Sequence, residues 1–307
     1  MTNNSTLSFP LLDGTRIPWL GWGNGTGDAS KTAIESGKLA LENGIHHLDT
    51  AQNYNNEQET GEAIRQSSIP REEVYVTSKL SGLPRRVHVP FDEIRSSIQG
   101  SLDKLGLIPN LYLIHSPYVA ERGNLKAVWQ ILENLKDEGK LHSIGVSNFR
   151  PQDLEAILDG AKYKPVVNQI EYHPYVLTHL EPLLALHKQH GILTQSFGAL
   201  TPLLRHPTGG PLKPILERIA ARIAQDTGKP IDAAIVLLLW TRAQGVCVVT
   251  ASGNPERIKR LGEVAVMPDL LTEDEVDEIS RVGRGIQFRY YNGQMEEDFP
   301  LPDLPSQ

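Results

Sequence analysis

The sequence predicts an α/β protein in which eight strand–helix units close into a (β/α)8 barrel. Short β-branched or apolar runs alternate with longer segments of helical period, and this alternation repeats eight times along the chain. Glycine stands just past the last periodic residue of several helices, where helices commonly end. With 307 residues the chain is long enough for one barrel-sized domain.

The strand candidates are short, and each is followed by a helix candidate with apolar residues at three- and four-residue spacing. The strand candidates are Pro18–Trp22, His46–Thr50, Val74–Lys79, Leu111–Ser116, Ser143–Asn148, Val166–Glu171, Ile192–Phe197 and Val246–Ser252. The helix candidates are Ser30–Asn43, Glu57–Gln66, Phe91–Leu105, Leu125–Glu138, Pro151–Leu158, His179–His190, Ile231–Gln244 and Pro255–Glu263. An open doubly wound sheet normally has fewer strands and a phosphate loop after the first, so the pattern favours a TIM barrel.

Segments outside the eight units predict additions to the barrel. Asp13-Gly14 suits a tight turn and is flanked by Leu7–Leu12 and Thr15–Ile17. We therefore expect an N-terminal β-hairpin that closes the bottom of the barrel. Arg205–Pro214 is rich in glycine and proline and is predicted to be a long loop. Arg284–Gln307 is predicted to be an extended C-terminal tail. No linker interrupts the pattern, so residues 1–307 are expected to form a single domain.

Composition excludes several classes of protein. The formal charge of −7 and the pI near 5.8 indicate no basic face for nucleic acid or an anionic membrane. Cys247 is the only cysteine, so an intrachain disulfide and a thiolate metal cluster are both excluded. Met1–Phe9 is polar and no long apolar run occurs, so a cytoplasmic protein is expected. A monomer or a homodimer is expected.

Four polar residues lie at or just after the C-terminal ends of predicted strands: Asp49, Tyr54, Lys79 and His115. In a barrel these ends meet at one face, where the active site is built. A phenol has a pKa of about 10 and exchanges protons poorly at neutral pH unless a nearby ammonium stabilises its phenolate. Lys79 is the candidate for that charge, with Asp49 as its counter-ion, while His115 is placed to hydrogen-bond a carbonyl oxygen.

Each of the four has a simpler interpretation when taken alone. Asp49 is suited to capping a helix, Tyr54 to packing, Lys79 to a strand-end cation and His115 to a satisfied core position. Together these interpretations require four coincidences at one face of the barrel. The catalytic interpretation is therefore preferred.

A metal site is not expected, although His46-His47 beside Asp49 is suggestive of a metal-dependent barrel hydrolase. Successive strand residues face opposite sides, so the two histidines do not both point into the barrel. Such a hydrolase stays as an alternative that needs at least three converging ligands.

An ordered set of motifs carries a family resemblance. They are His47-Leu48-Asp49-Thr50-Ala51 with Tyr54, Ser78-Lys79, Leu113-Ile114-His115, Gly145-Val146-Ser147-Asn148-Phe149 and Asn168-Gln169-Ile170-Glu171-Tyr172-His173-Pro174. From about Leu7 to about Val282 the chain resembles the aldo-keto reductases. His115-Ser116-Pro117-Tyr118, where many members have tryptophan after the histidine, is similar to the fungal branch of conjugated polyketone and α-keto amide reductases.

This resemblance implies an NAD(P)H-dependent carbonyl reductase with Asp49, Tyr54, Lys79 and His115 as the catalytic set and Tyr54 as proton donor. It also implies a set of cofactor-binding residues. Cofactor binding is assigned to Gly25 and Thr26 near the ribose, to Asp49, to Ser147, Asn148 and Gln169 at the carboxamide, to Phe197 stacked on the nicotinamide, and to Leu200, Ser252, Asn254 and Arg257. The substrate-lining candidates are Trp22, Tyr118 and Tyr290, with surface or core packing as the alternative for each.

Cofactor choice depends on the segment around Ala251, where many relatives have a lysine that pairs with the 2′-phosphate of NADPH. In place of this lysine the segment offers a hydroxyl, a helix N-terminus and a guanidinium, from Ser252, Asn254 and Arg257. NADPH is therefore favoured over NADH. The alternative is that Asn254 only caps its helix and Arg257 is a solvated charge.

Activated carbonyls are the substrate class that the resemblance implies: α-diketones, α-keto lactones, α-keto amides and α-keto esters. The alternative within the same superfamily is a regulatory protein that holds the cofactor and turns over little.

Overall fold

The N-terminal hairpin is present and covers one end of a barrel. The computed structural model describes residues 7–82, 88–121 and 123–295. Strands β1 (Ser8–Pro10) and β2 (Arg16–Pro18) pair antiparallel. Gly14 takes a φ of +85° in the connecting turn, which favours glycine. Leu11 and Ile17 are buried against residues at the start of the barrel strands, such as Leu111 and Val167, so the hairpin closes the N-terminal end of the barrel.

Eight parallel strands form the closed barrel within the described ranges. They are β3 (Leu20–Gly23), β4 (His47–Asp49), β5 (Tyr75–Leu80), β6 (Leu111–Ile114), β7 (Ser143–Ser147), β8 (Val167–Glu171), β9 (Leu193–Phe197) and β10 (Cys247–Thr250). Each pairs with the next in sequence, and β10 pairs with both β9 and β3, where Thr250 is opposite Trp22. The predicted TIM barrel is confirmed.

Helices follow the strands and form the outer layer. In the described part of the chain they are α1 (Gly27–Lys31), α2 (Ala33–Glu42), α3 (Glu57–Gln66), α4 (Ile94–Leu105), α5 (Leu125–Asp137), α6 (Pro151–Leu158), α7 (Leu177–His190), α8 (Thr201–Leu204), α9 (Leu212–Thr227), α10 (Ala233–Ala243), α11 (Pro255–Ala265) and α12 (Glu273–Arg284). Among the described residues no helix is long and apolar enough to span a membrane.

Three of these helices, α8, α9 and α12, lie outside the eight predicted helices. Helix α9 begins at Leu212, inside the predicted loop Arg205–Pro214. Pro214 is compatible with this start, since it falls in the first turn of the helix, where proline is tolerated. Helix α12 begins with a capping box in which Thr272 and Glu275 bond each other's backbone N–H.

Apolar and polar residues occupy different layers of the barrel. Outward-facing strand residues such as Leu48 and Val76 pack against the helices in a dry layer. The interior holds buried polar side chains, among them Asp49, Gln169 and Gln195. These interior groups satisfy one another by hydrogen bonds and lead up to the C-terminal ends of the strands.

After α12 the chain crosses the C-terminal face of the barrel. Phe288 N donates to Tyr175 O at 3.0 Å, and a single 3-10 turn is formed at Asn292–Gln294. Of the predicted tail Arg284–Gln307, Arg284 belongs to α12, and residues 296–307 lie outside the described residues.

Candidate active site

A cavity of ≈ 480 Å³ opens at the C-terminal ends of the strands. The residues predicted for the site that line it are Gly25, Thr26, Asp49, Tyr54, His115, Ser147, Asn148, Gln169, Phe197 and Leu200. Its wall also includes residues that the sequence analysis does not single out, chiefly Ala199, Thr201, Leu204, Arg205, Tyr291 and Gly293. Residues from distant parts of the chain therefore meet at one face, as barrel geometry predicts.

Lys79 and Asp49 form a buried ion pair below the cavity. They come from the neighbouring strands β5 and β4, and Lys79 is fully buried. Lys79 Nζ donates to Asp49 Oδ1 and, at 3.0 Å, to Thr50 O, while Asp49 Oδ2 accepts from Gln169 Nε2 at 2.8 Å. Burial acts to lower the pKa of Lys79, but Asp49 and Tyr54 outweigh it and raise that pKa above its ordinary value. Lys79 is therefore an ammonium at neutral pH.

Tyr54 lies between this ion pair and the cavity. It ends the 3-10 turn Gln52–Tyr54 that follows β4, and Lys79 Nζ lies 5.0 Å from the centre of its ring. Gly25 packs on the ring so closely that an added Cβ would lie 2.6 Å from Tyr54 Cζ. The sequence predicts that Lys79 lowers the pKa of the phenol; Lys79 does act in that direction, but burial outweighs it and the pKa is raised. The phenol is therefore protonated at neutral pH.

His115 stands beside Tyr54 at the end of β6. Its Nε2 is 3.5 Å from Tyr54 Oη, and the two rings meet edge to face with centroids 5.5 Å apart. Burial and the charge of Lys79 hold the pKa of His115 well below its ordinary value, so the ring is neutral. An uncharged phenol and an uncharged imidazole thus converge on one point of the cavity, above a buried cation.

The predicted carboxamide-binding residues form one hydrogen-bonded group. Ser147 Oγ donates to Gln169 O at 2.8 Å and accepts from Asn148 Nδ2 at 3.0 Å. Asn148 has a φ of +59° and also donates to His115 O at 3.0 Å. Among the described residues its Oδ1 has no hydrogen-bond partner although it is buried. An open acceptor therefore lies in the cavity wall.

Phe197 and Tyr291 form an aromatic corner of the cavity. Their rings meet at 84° with centroids 5.3 Å apart, and Gly198, at a φ of +66°, makes room for Tyr291. Phe197 is predicted from the sequence but Tyr291 is not, because nothing in the composition of the C-terminal segment indicates which of its residues turns toward the barrel.

A buried carboxylate anchors the segment that carries Tyr291. Glu171, at the end of β8, accepts from Tyr290 N at 2.9 Å and from Tyr291 N at 3.0 Å. His173 Nε2 and Arg289 Nε lie 3.1 and 3.6 Å from its oxygens. Burial acts to raise the pKa of Glu171, but His173, Arg289 and the Tyr290 N–H outweigh it and the pKa is lowered.

The three predicted substrate-lining residues lie elsewhere. Trp22 is buried beneath α2 and its Nε1 donates to Ser252 O at 2.9 Å, so core packing is the correct interpretation. Tyr118 is half-buried, and Tyr290 is exposed with Arg205 Cζ 4.8 Å from its ring. In the described structure none of the three belongs to the cavity wall.

Ser252, Asn254 and Arg257 lie around the start of α11, next to Ala251 at the cavity rim. Asn254 caps the helix by accepting from Arg257 N at 3.0 Å, and Ser252 Oγ accepts from Asn254 N at 3.1 Å. Arg257 is exposed. The structure thus places the N-terminus of an 11-residue helix and an exposed guanidinium close to the cavity-lining Ala251.

His46 and His47 do not form a metal site with Asp49. His47 is buried inside the barrel with Nε2 2.9 Å from Thr77 Oγ1, and His46 is part-exposed. Over the ranges that the structure describes, no three His, Cys, Asp or Glu side chains are grouped as metal ligands.

The fold and the site together define a (β/α)8 barrel with a candidate active site at the C-terminal ends of its strands. The chain belongs to the Aldo/keto reductase family, whose model matches residues 20–284. Members of this family are oxidoreductases that act on carbonyl compounds.

Individual relatives agree with this assignment over nearly their whole length. The chain is 32% identical over 296 residues to the NAD/NADP-dependent indole-3-acetaldehyde reductase of Schizosaccharomyces pombe, covering 92% of this chain and 98% of the relative. It is 34% identical over 304 residues to the human aldo-keto reductase family 1 member C2, covering 91% and 92%. A crystal structure of an aldo/keto reductase from Brucella melitensis matches with a TM-score of 0.75 at 32% identity, over 91% of this chain and 100% of that one.

Proposed function

We propose that this protein is an NADPH-dependent carbonyl reductase in which Tyr54 donates the proton. The observation that carries the proposal is the pairing of Tyr54 Oη with His115 Nε2 at 3.5 Å in the cavity wall, directly above the buried Lys79–Asp49 ion pair. Asp49, Tyr54, Lys79 and His115 are then the catalytic residues.

The cavity wall fits a nicotinamide cofactor. Asn148 Oδ1 is a buried acceptor without a partner in the described chain, which an amide N–H of a carboxamide would satisfy. Ser147 and Gln169 hold Asn148 in place, and Phe197 offers an aromatic face beside it. Gly25, Thr26 and Leu200 line the same cavity. When bound, the reduced cofactor supplies the hydride that a carbonyl carbon accepts.

The proton and the developing charge are handled by the protein. His115 is neutral, so a hydrogen bond from its Nε2–H to the carbonyl oxygen orients and polarises the substrate. Tyr54 is protonated and gives its hydrogen to that oxygen as negative charge builds up. Lys79 then stabilises the phenolate left behind, and Asp49 keeps Lys79 charged throughout.

A preference for NADPH is supported by the rim around α11. The N-terminus of the helix, Ser252 and the exposed Arg257 offer partial and full positive charge for a 2′-phosphate. The Asn254 side chain is engaged in capping, so its contribution is to order this turn.

Activated carbonyls are the proposed substrate class. The proposal rests on the similarity of His115-Ser116-Pro117-Tyr118 to the fungal branch named above. Arg205 and Tyr291 support it, because they add hydrogen-bond donors to the cavity wall for a second oxygen next to the reacting carbonyl.

The test follows the oxidation of NADPH and of NADH with an α-keto lactone, an α-keto ester, an α-diketone, an aldose and a simple aldehyde. We expect turnover that is faster with NADPH and with the activated ketones. Tight NADPH binding without turnover of any carbonyl would overturn the proposal in favour of a cofactor-binding regulatory protein. Faster reduction of the aldose than of the ketones would overturn the substrate class alone.

A further inference from the structure

Ser81 contacts His115, the proposed catalytic histidine. It follows β5 directly, is buried, and has its Oγ 2.8 Å from His115 Nδ1. The same hydroxyl lies 3.2 Å from Asn53 Oδ1, and Ser81 N donates to Gln52 Oε1 at 2.8 Å. Two residues of the turn Gln52–Tyr54 therefore hold Ser81, and the third residue is the proposed acid.

His115 is also fixed through its backbone. Its N–H donates to Leu80 O at 3.0 Å, and its carbonyl accepts from Asn148 Nδ2 at 3.0 Å. With backbone and ring both held, the main freedom left to a neutral imidazole is which nitrogen carries its single hydrogen.

We propose that Ser81 is a positioning residue that donates its hydroxyl hydrogen to His115 Nδ1 and thereby keeps the ring hydrogen on Nε2. The inference rests on the proposed function, because a carbonyl oxygen is an acceptor and needs an N–H from the nitrogen that faces Tyr54 and the cavity. The opposite tautomer would direct a lone pair at that oxygen.

The distances around Ser81 favour this direction of the hydrogen bond. A hydroxyl has one hydrogen, and His115 Nδ1 is nearer to Ser81 Oγ than Asn53 Oδ1 is, at 2.8 against 3.2 Å. Rotating the Asn53 amide by half a turn, which leaves its shape unchanged, places its NH₂ toward the serine oxygen. Asn53 then donates to Ser81, and Ser81 donates to His115.

The test combines ¹⁵N NMR of the histidine rings with steady-state kinetics. In the parent protein we expect the His115 signals, assigned against His115→Gln, to be those of the Nε2–H tautomer. In Ser81→Ala we expect a mixture of tautomers, a kcat about tenfold lower and an unchanged Kd for NADPH. Ser81→Thr, which keeps the hydroxyl, should restore both the tautomer and most of kcat.

Thr194 supplies a matched control. Its Oγ1 lies 2.9 Å from Nδ1 of His187, a buried histidine on α7 away from the cavity. Thr194→Val should change the His187 signals and leave the His115 signals and kcat as they are.

Two outcomes would overturn the inference: an Nδ1–H tautomer in the parent protein, or a Ser81→Ala protein with parent-like His115 signals and kcat. If Ser81→Ala does not fold, the parent spectrum still decides the tautomer. Failure of the parent to reduce any carbonyl would overturn the proposed function instead, and the spectra would still report on His115.

Discussion

Lys79 is an ammonium group with no access to water, and its charge depends on one carboxylate. An isolated buried ion is very costly, so a pair like this persists only when both partners have their hydrogen bonds made. Here Thr50 O takes a second hydrogen of Lys79 and Gln169 holds the second oxygen of Asp49. The charge of Lys79 is therefore maintained by Asp49, Thr50 and Gln169 together.

Replacing Tyr54 by Phe removes the proposed proton donor and leaves the shape of the cavity nearly unchanged. We expect kcat for carbonyl reduction to fall by at least about a hundredfold, with an unchanged Kd for NADPH by fluorescence titration. Tyr175→Phe is the control, because it also removes one hydroxyl, here bonded to Gly209 O at 2.8 Å outside the cavity. Equal turnover in the Tyr54→Phe and parent proteins would remove Tyr54 from the mechanism.

At the scale of residues, the sequence predicts those side chains whose position follows from a strand end. Asp49, Lys79 and His115 are of this kind, since the end of a parallel barrel strand points into the site. The prediction for Trp22 is wrong because side chains alternate between the two faces of a strand. Gly21 and Gly23 face the barrel interior, so Trp22 points outward to the helices. Tyr291 and Ser81 are missed because their positions depend on backbone paths that are set by hydrogen bonds donated to Glu171 and Gln52.

Among the elements, α11 is where cofactor choice is expected to be decided. Arg257→Ala removes the full charge at its N-terminus, so we expect KM for NADPH to rise roughly tenfold while KM for NADH stays nearly constant. Lys259→Ala removes an exposed cation from the same helix and serves as the control. Equal changes with both cofactors would show that Arg257 does not contact the 2′-phosphate.

The segment after α12 is the second element on which the cavity depends. Glu171→Gln replaces the carboxylate that holds this segment with a neutral amide. The amide has one acceptor oxygen, so the N–H of Tyr290 or of Tyr291 then faces an NH₂ group and loses its hydrogen bond. We expect a loss of roughly 3 kcal/mol in the free energy of unfolding and a higher KM for the carbonyl substrate, because Tyr291 is less firmly held.

Glu181→Gln is the comparison for this anchor. Glu181 pairs with Arg284 at 3.5 Å just before the same segment, but both side chains are exposed, so its loss should cost less than about 1 kcal/mol. Chemical denaturation and substrate titration of the two variants measure the difference, and similar losses in both would contradict the role given to Glu171.

Predicted elements agree with the structure where periodicity is strong and the ends are marked. Glu57–Gln66 and Pro151–Leu158 have the predicted bounds. Helix α9 is missed because glycine and proline before it suggest a continuing loop. Helix α12 was predictable but was not predicted, since Thr272 and Glu275 have the spacing of a capping box.

For the whole molecule, acid should weaken the fold before the carboxylates titrate. Burial lowers the pKa of His47 and of His187 from 6.5 to about 4. Between these values the unfolded chain binds more protons than the folded one, so the free energy of unfolding rises with pH across this window. We expect a loss of roughly 2 kcal/mol for each histidine on going from about pH 7 to about pH 5.

Urea denaturation across this range measures the loss, and His187→Gln should reduce it by its own share of roughly 2 kcal/mol. A midpoint that does not move with pH would show that the two rings are not buried in neutral form. The depressed pKa of Glu171 adds a loss of the same sign at lower pH, as that carboxylate becomes protonated.

Closure of the barrel joins residues 20–23 to residues 247–250. While the chain is being synthesised, β3 can pair with β4 early, but its other edge has no partner until β10 has left the ribosome. An open edge of this kind is a template for pairing with other chains. Nascent protein at this stage should therefore be a client of chaperones, and a pause in translation between β9 and β10 should lower the yield of folded enzyme.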